Sequence, residues 1–389
     1  MDISNAIVVG GGIGGLAVAV ALARAGVAVT LLEKAPALTE VGAGLQISPN
    51  GLAVLRDLGL EGALTARGAV QARAVVLRNG ERDRTVSRLD LGRLSADQRY
   101  LFVHRADLVA VLAAAARRAN VSVELGQSVA ALRPGALPEI TLATGGVRRA
   151  ELVVAADGIH SAARGRLNGA GAARFAGQIA WRAVVPNVTD HAPVAQVSMG
   201  AGRHLVSYPL REGRVVNLVA VEERGGWAAE DWNHADDPET LRTAFAGFTG
   251  AAAALLGAVE EVTLWGLHLH PVAEVWHEGG IALLGDAAHP TLPFLAQGAN
   301  MALEDAWVLA DCIRRLPLAQ ALPAYQARRI DRVRRVIRAA EGNAWKYHLG
   351  RGPVRALAHA GLGLGGRVAP GRMLGAFDWL YRHDVTAQR

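Results

Sequence analysis

Ile7-Val8-Val9-Gly10-Gly11-Gly12-Ile13-Gly14-Gly15-Leu16 decides how the rest of this chain is read. Ile7-Val8-Val9 is a short β-branched run that predicts a buried parallel strand. Gly10-x-Gly12-x-x-Gly15 follows it, and Leu16 to Ala25 predicts an alanine-rich helix ended by Gly26. Val27 to Leu32 then reads as a second strand finishing at Glu33, which completes a strand–helix–strand unit of about thirty residues. Glycines in this pattern permit a tight turn and close backbone approach, so a pyrophosphate can sit on the helix N-terminus. Glu33 falls eighteen residues after Gly15, where an acid accepts hydrogen bonds from an adenosine ribose. A glycine-rich turn without a ligand is the competing reading, and it leaves the strand–helix–strand setting unexplained.

The same pattern recurs at Gly361-x-Gly363-x-x-Gly366, with Asp384 eighteen residues further on. No β-branched run precedes it and Pro370-Gly371 interrupts the expected helix, so this copy predicts a flexible C-terminal loop.

The 389 residues leave room for two or three domains at about 150 residues each. Apolar residues make up 51% and charged residues 20%, which excludes an intrinsically disordered chain. Cys312 is the single cysteine, so a disulfide scaffold, a zinc finger and a thiolate-held iron–sulfur cluster are excluded. The formal charge is +6, from 41 cations and 35 acids, but only Lys34 and Lys346 are lysines. That bias weakens any argument from the high isoelectric point. Ala6 to Ala25 is long and apolar enough to suggest a membrane span, yet six residues at its middle include five glycines. No basic segment precedes it in Met-Asp-Ile-Ser-Asn, and a cytoplasmic protein is the expectation.

Further motifs lie downstream. Glu40-Val41-Gly42-Ala43-Gly44-Leu45-Gln46-Ile47-Ser48-Pro49-Asn50 is a glycine-broken loop before a helix. His104-Arg105-Ala106-Asp107-Leu108 opens another helix, and Val153-Val154-Ala155-Ala156-Asp157-Gly158 is a strand ending in an Asp-Gly turn. Ile281-Ala282-Leu283-Leu284-Gly285-Asp286 is a strand delivering an aspartate, followed by Gln297-Gly298-Ala299-Asn300 and a long helix to about Arg315.

With these motifs in this order, the chain resembles the class A, single-component FAD-dependent aromatic hydroxylases, and within them the salicylate hydroxylase and 3-hydroxybenzoate 6-hydroxylase branch. The resemblance runs almost end to end. It implies an α/β fold: a discontinuous Rossmann-like FAD-binding domain of the p-hydroxybenzoate hydroxylase type, an inserted antiparallel-sheet substrate domain and C-terminal helices. The implied boundaries are 1–70, 100–170 and 270–325 for FAD, 71–99 and 171–269 for substrate, and 326–389 for the helical region.

Residue by residue, the resemblance places Gly10, Gly12, Ile13 and Gly15 at the FAD pyrophosphate and Glu33, with Lys34, at the adenosine ribose. Arg105 is implied at the phosphate and ribityl region, Asp157 between pyrophosphate and nicotinamide path, and Asp286 at the ribityl chain. Gly44, Gln46, Gly298, Ala299 and Asn300 complete the cofactor contacts, and Gln46, Pro293 and Phe294 line the substrate pocket. The helix from Gly298 has a physical reason to point its N-terminus at the flavin, because about half a positive charge there stabilises reduced, anionic flavin. Taken alone, Asp286 also reads as a helix N-cap, and Arg105 as an ion-pair partner of Asp107 or Glu151.

The implied activity is hydroxylation of a phenolic aromatic acid, hydroxybenzoate- or salicylate-like, with tightly held, non-covalent FAD, transient NADH or NADPH, and oxygen delivered through a peroxide at flavin C4a. A 6-hydroxynicotinate-like heteroaromatic hydroxylase, or a flavoprotein oxidase or reductase, is the alternative. A homodimer is the expected assembly, without nucleic-acid or membrane partners.

Between the motifs, Asn79-Gly80 is a hairpin signal, and Gly177 to Val221 alternates in the manner of antiparallel strands. Arg328 to Arg338 carries Ile330, Val333 and Ile337 at helical spacing, which predicts a solvated arginine face instead of a nucleic-acid site. His268-x-His270 is read as packing with no metal, and Cys312 as a buried small residue. Gly202-Arg203-His204-Leu205-Val206-Ser207-Tyr208-Pro209 predicts a strand on which His204 and Tyr208 share a face, roughly 13 Å apart. The family carries a similar pair in its pocket, which implies a catalytic role: His204 assisting loss of a phenolic proton, with Tyr208 beside it. A satisfied strand histidine beside a core tyrosine is the competing reading. A phenol near pKa 10 and a histidine near 6.5 differ by about 3.5 units, or about 4.8 kcal/mol, so His204 needs help.

Overall fold

The computed structural model of the protein describes residues 3–38, 43–169, 171, 173–226, 234–344, 347–350 and 352–387. The Glu40-Val41-Gly42 part of the glycine-broken loop lies outside them.

Uninterrupted apolar runs build the first layer. Asn5–Val9 pairs in parallel with Ala28–Glu33 on one side and Leu152–Ala155 on the other. Ser122–Leu125 and Ile281–Leu283 extend the parallel sheet outwards, and His277–Glu278 adds an antiparallel edge. All four residues of Leu152–Ala155 are buried, as a strand covered on both faces requires. Helices Ile13–Arg24, Arg105–Arg118 and Gly298–Arg315 lie against this layer, the first packing on both others.

The second layer is an eight-stranded sheet assembled from two separate stretches of chain. Its order is His234–Asp236, Val262–Leu269, Arg174–Pro186, Val215–Glu223, Arg203–Leu210, Val194–Gly200, Ala74–Asn79 and Arg84–Asp90. The pairing corrects the purely antiparallel expectation at one seam: Val194–Gly200 runs parallel to Ala74–Asn79, where the two stretches meet. Period-two alternation divides its faces. Trp181, Leu205, Leu218 and Ala220 pack outwards against Phe245, Phe248 and Leu255 of a small helical cap. The other face looks towards the parallel layer.

Two expectations about the C-terminal part are corrected. Gly361, Gly363 and Gly366 lie inside a helix, Pro353–Val368, not in a loop. That helix crosses the strand Arg84–Asp90 so closely that a Cβ on Gly363 would stand 3.0 Å from Val86 O, and one on Gly366 2.8 Å from Ser87 Oγ. Close approach to a strand, not chain flexibility, accounts for Gly363 and Gly366, whereas a Cβ on Gly361 would meet nothing within 4 Å. The arginine-rich helix Leu318–Ala344 packs along Gly298–Arg315 and is not solvated all round its charged side. Arg329 is completely buried and the Arg332 side chain nearly so, because both reach inwards to acids of the neighbouring helix. Cys312 is buried, as expected.

Candidate active site

A cavity with about 2220 Å³ of empty space, its open mouth included, lies between the two layers. Its floor comes from the ends of the parallel strands: Gly12, Ile13 and Gly14, then Ala156, Gly158, Gly285 and Asp286. Pro290 to Ala299 forms one wall, and Gly44, Gln46 and Arg105 another.

The three glycines of the first turn have different reasons to be glycine. Gly10 sits at φ +102° with Ala156 O only 2.4 Å from where a Cβ would be, and on Gly15 a Cβ would collide with Gly10 O. Both are required by the protein's own backbone. Gly12 is extended, at φ −74° and ψ −174°, and a Cβ there would meet nothing within 4 Å. Its bareness faces the cavity, a cradle that a side chain would fill. Helix Ile13–Arg24 begins there without a capping side chain or an acid in its first turn. Helix Gly298–Arg315 likewise starts at the cavity with no side-chain cap and no first-turn acid. Two bare helix N-termini therefore turn their amides and partial positive charge on one space, which suits an anionic, phosphate-bearing cofactor.

The charged groups fit that cofactor. Glu33 accepts the Gly11 amide at 2.6 Å and the Ala35 amide at 2.8 Å, which fixes the carboxylate at the end of its strand with lone pairs to spare. Neither Glu33 nor the exposed Lys34 beside it is part of the cavity wall. Asp157 accepts the Ala162 amide on Oδ2, while its buried Oδ1 has no hydrogen-bond partner within the protein. Burial pushes the Asp157 carboxyl up, against the opposing pull of Ser161 and nearby amides. Asp286 lies deep in the molecule, yet its side chain is accessible because it faces the cavity. Its setting raises the carboxyl above the usual range, with His289 and Arg105 acting the other way. Neither isolated alternative describes these residues: Asp107 pairs with Arg211 at 3.0 Å, Glu151 holds Ser4 and Asn5, and Gln297 is the residue at the helix N-cap.

The wall loop is held from behind by polar groups that sequence reasoning left out. Asn300 donates to Gln46 O at 3.0 Å and Ala296 O at 2.8 Å and accepts the Ser48 amide, so its side chain faces the protein and only its backbone is left for a cofactor. Asn50 donates to Gln297 and to Glu304, and Ser48 to Asn50. Beneath them Arg329 is buried between Glu304 and Asp305, and Asp305 also meets His289 Nε2 at 2.6 Å. Burial alone would raise both carboxyls. Arg329 and Arg332 at Glu304, and His289 and Arg329 at Asp305, outweigh it and hold both below the usual carboxylate range.

The sheet forms the roof, and its register sets which side chains look down. Arg182, Val219, Val206 and Val197 stand opposite one another on successive strands. His204 faces Val221 in the row on one side, and Tyr208 faces Asn217 in the row on the other. His204, Val206 and Tyr208 all line the cavity, with Pro293 and Phe294 on the wall nearby. Tyr208 is buried with its ring 5.0 Å from that of Phe102. His204 touches Phe294 and Tyr347 and places Nδ1 2.6 Å from His348 Nε2. Burial, then the neighbouring His348, pushes the His204 imidazole well below its ordinary pKa. His268 and His270 also reach the cavity wall, which corrects the packing expectation, since their strand ends at its rim. Arg182, over the Trp265 ring at 4.7 Å, and Tyr100, donating to Gln46 Oε1 at 2.8 Å, were missed. Alternation places Arg182 on the inner face of its strand, a signal present in Ala180 to Val184.

Two covered layers, a bare glycine turn and a second helix N-terminus on one cavity fit a phosphate-bearing dinucleotide cofactor. The chain belongs to the FAD binding domain family, whose model matches residues 4–340, and within it to the single-component aromatic hydroxylases that its motifs resemble. It is 35% identical to a 3-amino-4-hydroxybenzoate 2-monooxygenase of Streptomyces platensis over 97% of this chain and 96% of that one. It is 31% identical to 3-hydroxybenzoate 6-hydroxylase 1 of Aquipseudomonas alcaligenes, over 98% of each. Klebsiella pneumoniae HpxO complexed with FAD and uric acid superposes with a TM-score of 0.83 at 28% identity, covering 96% of this chain and 95% of that one.

Proposed function

We propose that this protein hydroxylates a phenolic aromatic acid with FAD, NADH or NADPH, and dioxygen. The observation that carries the reading is the roof register: it brings His204, Val206, Tyr208 and Arg182 over the floor made by Gly12, Asp286 and the Gly298 helix, inside one cavity. An apolar box with a few convergent polar groups is what a small aromatic ligand needs. Bound FAD supplies the redox chemistry, taking electrons from the nicotinamide and activating oxygen.

The chain's own residues do the rest. Gly12 and the amides of Ile13–Arg24 receive the pyrophosphate, and Glu33 the adenosine ribose. Arg105 and Asp286 hold the ribityl region, and the Gly298 helix faces the ring edge that becomes anionic. Segments 71–99 and 171–269 act as the substrate domain over a FAD domain of 1–70, 100–170 and 270–325, with 326–389 as outer helices. The ring beneath the roof must be electron-rich, and a phenolate is far richer than a phenol. His204 takes the phenolic proton, and the Arg182 charge above the ring suits an acid substrate. A heteroaromatic ring is the second reading, favoured by the similarity to the HpxO complex with uric acid.

A panel of hydroxybenzoates, aminohydroxybenzoates and hydroxylated heteroaromatics, each added to FAD-loaded protein with NADH or NADPH, tests this. One phenolic acid should accelerate nicotinamide oxidation at least ten-fold. Oxidation at one rate whatever ring is present would favour the oxidase or reductase alternative.

A further inference from the structure

We propose that His204, His348 and Glu223 form a proton-transfer chain connecting the ring-binding cavity to solvent behind the roof. The inference rests on the hydroxylase reading and adds to it the route by which the phenolic proton leaves.

The distances define the chain. His204 Nδ1 is 2.6 Å from His348 Nε2, and His348 Nδ1 is 2.9 Å from Glu223 Oε1. The burial is graded from inside to outside: His204 is 2% exposed, His348 6%, and the Glu223 side chain 51%. A carboxylate accepts only, so His348 donates from Nδ1 and accepts on Nε2; His204 must then donate from Nδ1, which leaves its Nε2 lone pair for the cavity. One consistent pair of neutral tautomers satisfies both links of the chain, and in it the Gln178 Nε2 donor makes no bond to His348 Nδ1. The sheet's turn fixes the middle member: Gly202 N donates to His348 O at 3.2 Å, and Glu223 N donates to Gly202 O at 2.9 Å.

Among the described residues, other groups around the chain are few. Phe294 and Tyr347 rings flank His204. His348 feels Arg203, itself paired with Glu222 at 3.3 Å, and Gln178 Nε2 stands 3.4 Å from its Nδ1. Burial makes a resting imidazolium on His204 unfavourable, which widens the gap to a phenol that a lone histidine would face. A conduit avoids that cost because no imidazole needs to keep the charge.

The step balances. The phenol O–H gives its proton to His204 Nε2 while the His204 Nδ1 proton passes to His348 Nε2 and the His348 Nδ1 proton to Glu223 Oε1. Glu223 releases it to water. The phenol becomes a phenolate, both imidazoles remain neutral in exchanged tautomers and no electrons move; the reverse hops, which return one proton from Glu223 through His204 Nε2 to the phenolate oxygen of the hydroxylated product, reset the chain. His348 and Glu223 are positioning residues that act through His204.

The test uses FAD-loaded protein without nicotinamide, with 3-amino-4-hydroxybenzoate as probe. Stopped-flow pH jumps follow ionisation of the bound probe by its phenolate absorbance. His348→Phe should slow ionisation at least ten-fold and Glu223→Gln at least three-fold, with probe affinity and final phenolate fraction within two-fold of wild type. A merely structural role would move affinity or FAD retention and leave the rate alone. Glu223 is half exposed, so its variant keeps the test valid if His348→Phe does not fold. Nitrogen-15 spectra of labelled histidines should show the Nδ1–H tautomer for both His204 and His348. Unchanged ionisation rates in both variants, or an Nε2–H tautomer at His348, would overturn the chain. Wild-type protein that binds no phenol in the panel contradicts the hydroxylase reading instead, while the tautomers still decide the chain.

Discussion

Gly12 and Gly15 belong to one motif but answer to different constraints, and substitution separates them. Gly12→Ala introduces a Cβ into open space at an extended backbone angle, so the FAD-free protein should keep its stability to within about 0.5 kcal/mol. FAD affinity should fall at least ten-fold, because the added methyl occupies the cradle. Gly15→Ala puts a Cβ against Gly10 O and should destabilise the FAD-free protein itself. Thermal melts with and without FAD, together with flavin titration, distinguish the two, and a Gly12→Ala protein with unchanged FAD affinity would contradict the assignment. At the same scale, Asp286→Ala should weaken flavin retention on gel filtration, since it removes the carboxylate on the cavity floor. The glycines and Asp286 were legible because their local sequence contains both the strand and the turn that place them. His348 was not, because its partner His204 is 144 residues away and only the folded sheet joins them.

Helix Gly298–Arg315 presents its N-terminus to the cavity, and the buried ions behind it hold it there. Arg329→Met would leave Glu304 and Asp305 without their common partner, and breaking a buried pair from one side costs about 3–5 kcal/mol. Both acids sit below their usual range in the folded protein. Their contribution is therefore fully present above the unfolded values of about 4 and is lost as pH falls through the lower folded ones. Urea unfolding should show the largest wild-type advantage over Arg329→Met at pH 7 and a smaller one towards pH 4. A gap that stays constant with pH would mean that packing, not charge, is what Arg329 supplies. Helical spacing correctly predicted Val333 as core and misread Arg329 as surface. Three-residue steps show that one side of a helix is buried, but not that an acid on another helix draws an arginine into that side.

Across the molecule, the inner strands of the parallel layer were readable because each is dominated by an apolar run, whereas the edge strand Ser122–Leu125 has none. The roof was harder, since its eight strands come from two distant stretches and the parallel seam at Ala74–Asn79 has no local signal. The roof side of the cavity depends on that sheet, which is why the contact of His204 with His348 and Glu223 emerges only from the fold. On the proposed placement FAD spans the floor, so its binding should stabilise the whole protein by mass action, with the melting temperature rising as FAD is added. On the proposed function, both layers cooperate in transferring one oxygen atom to a ring. Turnover under labelled dioxygen with the most stimulating phenolic acid, with product mass and hydrogen peroxide measured together, tests it most directly. One labelled oxygen atom should enter the ring for most of the nicotinamide consumed, and hydrogen peroxide should predominate only when the acid is omitted. An unlabelled ring, with peroxide accounting for all the nicotinamide oxidised, would contradict the account.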